Sequence, residues 1–176
     1  AAVHRGADIG NDIWALRQPG ARQVVSQHGQ CGVCLMHMHR DPQTMLEQPM
    51  VGDVLDPIKN FLSQQVSALM DCGVQTSRIV LDPGVGFGKT LTQNLSLLQR
   101  QSELLTLGFP VLAGWSRKGS LGKMTAIQGN APDAQDRVGA SVAAALIAVQ
   151  NGASVVRVHD VKETVQALRV WQALKI

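Results

Sequence analysis

Five short apolar runs recur along the chain, each ending in a polar tip and each followed by a segment patterned as a helix. Runs that are apolar throughout, rather than alternating, are strands buried on both faces, as in a parallel sheet covered by helices. The clearest is Ile79-Val80-Leu81, which ends in Asp82 and passes into Pro83 and a loop carrying Gly84, Gly86 and Gly88, closed by Lys89. A carboxylate at the end of a buried strand is costly unless it binds something. Glycines in the loop that follows let the backbone come close to a ligand.

The other units follow the same design. A weak strand over 7–12 ends in Asn11-Asp12, and a strand over Gly32–His37 ends in His37. Val111–Gly114 runs into Ser116-Arg117-Lys118, and Ser154–Val158 carries Arg157, His159 and Asp160 at its tip. The expected helices run from Pro19-Gly20 to about Gly29, over Asp53–Cys72, near Gln93–Leu105, over Ala134–Gln150 and over Val161–Leu174. The second is the clearest: Leu55, Ile58, Leu62, Val66 and Leu69 share one face, Asp53 is a candidate cap and Gly73 a stop. Inward stripes are expected at Val138, Val142, Leu146 and Val149, and again at Val165, Leu168 and Trp171. The long connections leave strands two and four at their C-terminal ends, the rim where parallel α/β folds place their sites.

Composition narrows the function. With 176 residues, 45% hydrophobic and 16% charged, the chain has material for one domain with a core. No apolar run reaches the ~18 residues of a membrane span, and the first residues lack the apolar stretch of a secretory leader, so a cytoplasmic protein is expected. The net charge of +3 is scattered, Tyr is absent, and Phe and Trp number three each, which suits a small anionic ligand better than nucleic acid. Cys31, Cys34 and Cys72 read as reduced, small buried hydrophobes. The Cys31-Gly-Val-Cys34 spacing leads into a strand rather than a helix, and no second ligand pair completes a zinc site.

Each polar tip also has a plain structural reading. Asp160 fits a helix cap, Asp12 a cap of its own loop, His37 a hydrogen-bonded strand end and Lys89 a solvated loop lysine. Together they point elsewhere. Arg157 and His159, two apart on a strand, share a face and fit a phosphate or diphosphate. Asp82 can accept two hydrogen bonds from a planar amidine-like edge such as a pterin or guanine, and Lys118 can donate to a ring carbonyl. Gly119 opens a short turn whose N–H groups face an anion. The segment GVGFGKT is not a Walker A loop, since three residues rather than four separate Gly84 from Gly88, and the dinucleotide fingerprint fails as well.

These motifs resemble the dihydropteroate synthase family: Asn11-Asp12, Met36-His37-Met38 with Pro42 and Thr44-Met45, LDPGVGFGK at 81–89, Ser116-Arg117-Lys118, Arg137 with Gly139-Ala140-Ser141, and RVHDV at 157–161. The resemblance covers nearly the whole chain. It implies a pterin-binding domain over 1–176 with an α/β (β/α)8 TIM-barrel fold. Five βα units are present here, resembling the fourth to the eighth, whereas a full barrel takes ~250 residues. The chain therefore reads as the C-terminal part of such an enzyme, an incomplete barrel with both sheet edges open and little turnover alone.

By that resemblance, 7,8-dihydropterin-6-ylmethyl diphosphate and p-aminobenzoate condense to dihydropteroate and diphosphate in folate synthesis, with sulfonamides as inhibitors. Lys118, Arg157 and His159 would be catalytic. Asn11, Asp82, Arg117 and Lys118 would hold the pterin, Phe87 and Gly119 the aminobenzoate, and Arg157 and His159 the diphosphate, with Gly114 among the substrate-binding residues. Mg2+ is the implied cofactor, its protein ligand expected in N-terminal units outside this chain. A homodimer is implied, with Val170 and Trp171 on late helix faces. Departures from the pattern are Gly119 where the family usually has Ser, with Ser120 one place on, Gly10 before Asn-Asp, and His39-Arg40 after the MHM segment. A pterin-binding methyltransferase relative and a non-catalytic pterin-binding homologue are the alternatives.

Overall fold

The structure is a computed structural model and describes residues 3–45 and 47–174. Five strands form one sheet: β1 Ile9–Asp12, β2 Gly32–Met36, β3 Ile79–Asp82, β4 Val111–Ala113 and β5 Ala153–Val156. Their order is sequential and every pairing is parallel. Each strand therefore enters from one end of the sheet, and all five tips meet at the opposite rim. The helices are α1 Ala21–Ser26, α2 Leu55–Met70, α3 Leu91–Gln99, α4 Gly119–Met124, α5 Val138–Gln150 and α6 Val161–Ala173. This is the expected run of five βα units in an incomplete barrel. β1 and β5 are the edges, and Ile9 and Val155 on them are exposed.

The core lies between the sheet and its helices. Val33, Leu35 and Leu81 from the strands meet Leu55, Ile58, Leu62 and Leu69 of α2, all essentially without solvent contact. The heptad-like stripe of α2 is thus the face it buries, as its spacing predicts. The helix starts two residues later than expected, with Val54 at the cap position, yet Asp53 still serves it: its carboxylate accepts the Leu55 N–H at 3.0 Å. Thr90 and Gln93 form a reciprocal capping box that sets the start of α3.

Three helical expectations need correction. The helix expected to reach Leu105 stops at Gln99 and continues as a 3-10 segment, Gln101–Leu107, in which Gln101 and Leu104 are buried. In α5 the valine stripe is only half buried. Its inward face is Ser141, Ala144, Ala145 and Ala148, small residues that let the helix lie close to β4 and β5. In α6 only Thr164 is buried; Val165 is exposed, and Leu168 and Trp171 are half exposed. Cys31 and Cys34 are buried as expected, whereas Cys72, at the end of α2, is exposed.

Candidate functional site

The tips converge around Asp82, the last residue of β3, whose side chain is 1% exposed. Its Oδ1 accepts the Gly84 N–H at 2.7 Å, which turns the chain into the glycine loop. Its Oδ2 accepts from Arg157 Nη1 at 3.1 Å, and the same nitrogen donates to Asn11 Oδ1 at 3.1 Å. Asn11, Asp82 and Arg157 come from β1, β3 and the end of β5, so one guanidinium spans the whole mouth of the sheet. Burial pushes the Asp82 carboxyl above the ordinary range, opposed first by the Arg157 charge and then by the Gly84 N–H.

Arg157 and His159 do not sit on a strand: β5 ends at Val156. The sequence argument that they share a strand face therefore fails, although both line one cavity of about 170 Å³ with Gly114, Ser116 and Lys118. Arg157 crosses directly over Gly114, where an added Cβ would lie 2.5 Å from Nη2. Ser116 Oγ accepts the His159 N–H at 3.1 Å and lies 3.0 Å from His159 Nδ1, fixing the imidazole at the cavity wall.

Lys118 leaves β4 toward the glycine loop. Its Nζ stands 4.3 Å from the centroid of the Phe87 ring, a cation–π contact. Burial lowers its pKa, with Asp82 pulling it back up. A second cavity of about 510 Å³ opens beside this pair, lined by Gly86, Lys118, Gly119, Ser120 and Lys123 among others. Gly119 begins α4 there, and the Ser120 hydroxyl is already engaged by Asn94 Nδ2 at 3.1 Å.

Arg117 is held away from the cavity mouth. It has φ +60°, which a non-glycine residue adopts only when its surroundings enforce it. Ser141 Oγ accepts its N–H at 3.0 Å, Arg137 Nη1 donates to its carbonyl at 2.9 Å, and its guanidinium forks onto both oxygens of Asp160. Asp160 is therefore an ion-pair partner rather than a side-chain cap; α6 has no side-chain cap bond. Asp12 does cap its own turn, accepting the Leu16 N–H at 2.7 Å.

Lys89 overturns its sequence reading as a solvated lysine. It is 5% exposed, and Nζ donates to the carbonyls of Gly84 at 2.8 Å and Phe87 at 3.1 Å and lies 3.0 Å from His37 Nδ1. Burial lowers its pKa to about 7 and that of His37 to about 3. Asn94 was not singled out by sequence at all. It is buried in the first turn of α3, and its Oδ1 accepts the Gly86 N–H at 2.9 Å. The available signal was an amide at an inward position, three and four residues before the buried Leu97 and Leu98.

The profile of the family described as "pterin binding enzyme" matches residues 1–159. The chain belongs to the pterin binding enzyme family. Within it, the chain is 44% identical over 174 residues to the dihydropteroate synthase of Neisseria meningitidis serogroup B, a match covering 97% of this chain and 60% of that protein. The dihydropteroate synthase of Stenotrophomonas maltophilia, solved with imidazole in its active site, superposes with a TM-score of 0.92 at 46% identity, covering 99% of this chain and 64% of the other. That of Xanthomonas albilineans, in complex with 7,8-dihydropteroate, gives 0.88 at 44% identity, covering 99% and 62%. The chain thus spans about three fifths of the length of these family members.

Proposed function

We propose that this chain carries the pterin, diphosphate and aryl amine contacts of a dihydropteroate synthase, within a pterin-binding domain spanning 1–176. The observation that carries the reading is the convergence of Asn11, Asp82 and Arg157 at one rim, beside Lys118 stacked on Phe87. The likeness to a relative crystallised with 7,8-dihydropteroate supports it.

Asp82 and Asn11 accept from the N–H and amino edge of the pterin, a role that Arg157 Nη1 fills in the free protein. Lys118 donates to the ring carbonyl and Arg117 covers the ring, released from Asp160. Gly114, without a side chain, leaves room for the ligand and Arg157 together. Arg157 then swings to the departing diphosphate with His159, whose position Ser116 fixes, placing positive charge where negative charge develops. The C–O bond to diphosphate ionises, the aniline nitrogen of p-aminobenzoate bonds to the pterinylmethyl carbon, and that nitrogen loses a proton. Phe87 packs on the aminobenzoate ring, and the Gly119 backbone N–H faces its carboxylate. No protein nucleophile enters, so Ser116 and the cysteines are not assigned one.

Mg2+ would offset diphosphate charge in such an enzyme. Among the described residues no three His, Cys, Asp or Glu side chains cluster closely enough to hold a metal ion. The protein ligand for that ion is expected outside this chain, and no step here passes through it. No helix among the described residues is long and apolar enough to cross a membrane. A cytoplasmic enzyme working on small molecules is part of the proposal. The exposed Val170 of α6 supports a homodimer through that helix.

The test titrates 7,8-dihydropterin-6-ylmethyl diphosphate into the chain and into its Asp82→Asn variant. Dihydropteroate formation is then followed with and without the first three βα units of a relative. Binding that depends on Asp82, and product that requires the added units, is expected. Product formation indifferent to Asp82 and Lys118, or methyl transfer in its place, overturns the reading.

A further inference from the structure

We propose that Lys89 is a positioning residue that pins the glycine loop so that Phe87 is held at the site, an inference that rests on the dihydropteroate synthase reading only for the identity of the ligands. The loop has little internal structure of its own. Its backbone turns through Gly84, Gly86 and Gly88, all at positive φ, and it lies against the chain that leaves β2. At Gly84 an added Cβ would fall 1.8 Å from the His37 carbonyl oxygen, and at Gly88 2.6 Å from the His39 Cβ. The loop and residues 37–39 are therefore in backbone contact.

Lys89 fastens the two together from inside. Its ammonium reaches the carbonyls of Gly84 and Phe87, at either end of the loop, and the imidazole of His37 on the neighbouring strand end. Two carbonyl acceptors and the His37 Nδ1 converge on one nitrogen at 2.8 to 3.1 Å. His37 is itself anchored: its ring meets Phe61 of α2 edge-on at 5.0 Å, and its N–H donates to the Asp82 carbonyl. The pin thus ties the loop to the rigid α2–β2 layer.

The two ends of the loop depend on it unequally. Asp82 is the last residue of β3 and keeps Arg157 and the Gly84 N–H as partners without Lys89. Phe87 is further out. Its carbonyl is held by Lys89 and, at a long 3.4 Å, by the His39 N–H, while its own N–H bonds to the Gly84 carbonyl within the same loop. Gly86 and Gly88 on either side stay tied to Asn94 and Met50, and the Phe87 ring to Lys118, so loss of Lys89 loosens the Phe87 carbonyl while Asp82 stays held. A buried lysine required merely for stability gives no such difference.

The test compares the unaltered chain with Lys89→Met, which keeps the length and apolar stem and removes the donors. Hydrogen exchange is read by mass spectrometry over 84–88 and over α2 and α5. Affinities are measured for 7,8-dihydropterin-6-ylmethyl diphosphate and, with diphosphate and pterin present, for p-aminobenzoate, in the chain supplied with the remaining barrel units. Exchange over 84–88 is expected to rise about tenfold or more with the helices unchanged, and p-aminobenzoate affinity to fall about tenfold while pterin affinity changes little. Should Lys89→Met fail to fold, Lys89→Gln, which retains a shorter amide donor, carries the same comparison with smaller changes in the same direction. Unchanged loop exchange, or an equal rise throughout the chain, overturns the proposal. A local rise over 84–88 with neither ligand bound by the unaltered protein upholds the pin and defeats the functional reading instead.

Discussion

Arg157 Nη1 lies 3.1 Å from Asp82 Oδ2, a pairing of an arginine side chain that is 40% exposed with an aspartate side chain that is 1% exposed. The asymmetry decides how each side responds to mutation. Asp82 is fixed in the interior and needs the cation; Arg157 is half in solvent and can leave. Replacing Arg157 by Ala leaves the carboxylate one N–H donor, from Gly84, and is expected to lower stability by about 1–3 kcal/mol near pH 7. That loss should shrink as the pH falls, because a protonated Asp82, already favoured by burial, needs no cation. Urea unfolding of both proteins at pH 7 and pH 4 checks it; a loss independent of pH would show that Arg157 acts through packing alone.

His37 and Lys89 give the chain a second pH dependence. The folded-state pKa of His37 is lowered to about 3 from 6.5, chiefly by burial and then by the Lys89 charge. Between those values the unfolded chain takes up a proton that the folded chain refuses, so stability falls as pH drops through that window. The slope is at most about 1.4 kcal/mol per pH unit. Lys89, lowered from 10.5 to about 7, has the same sign in a higher window: stability rises as pH climbs from about 7. Asp82, raised above 3.8, works the other way at the acidic end. A His37→Gln variant should lose most of the acid slope between pH 6 and 4, keeping the part that His39, lowered in the same direction, contributes, and should keep the alkaline rise. Retention of the full acid slope in that variant would assign it to other groups.

Much of this was legible in the sequence because strands that are apolar throughout admit few alternatives. The sheet, its parallel sense and the rim that gathers the tips all follow from Cys34-Leu35, Leu81 and Val111-Leu112 being buried, with Val80 half-buried. Asp82 was legible for a related reason: a carboxylate at such a strand end has few tolerable fates. Lys89 was not, since its burial depends on a carbonyl turn and on His37, 52 residues away. Arg157 was expected at the rim from its place beside a strand end, but its direction was not legible, because Asn11, 146 residues away, and Asp82 set it. The face of α5 was misread because large residues mark periodicity, whereas close approach to β4 and β5 selects Ala and Ser. Local pattern reports element type; which small or polar side chain a close packing demands is a property of the assembled pair.

The two glycines at the site should respond differently to alanine. At Gly84 the new Cβ would sit 1.8 Å from a backbone carbonyl oxygen, at φ +69°, with no side chain able to give way. Gly84→Ala is expected to lose on the order of 3 kcal/mol of stability or to fail to fold. At Gly114 the obstacle is the Arg157 guanidinium, the far end of a flexible side chain. Gly114→Ala should therefore fold and lose only what displacing Arg157 from Asp82 costs, about 1–3 kcal/mol near pH 7 and less at pH 4. Thermal unfolding followed by circular dichroism at both pH values separates the two, and equal losses at pH 4 would contradict the contact geometry.

The cysteines provide a test of the fold that needs no ligand. Cys34 lies in β2, buried, and burial together with the nearby Asp82 charge pushes its thiol up to about 12. Cys31 is equally enclosed, and its thiol faces the Gly32 carbonyl at 3.3 Å. Thiolates, not thiols, attack disulfide reagents, and both residues are shielded from them. Cys72 stands exposed at the end of α2. Treatment of the native chain with an aromatic disulfide reagent at pH 8 should titrate Cys72 alone, and the remaining two of the three thiols only after denaturant is added. Rapid release of a second equivalent under native conditions would mean that β2 is not enclosed between its neighbours, and a Cys72→Ser variant that still reacts would place the opening at Cys31 or Cys34.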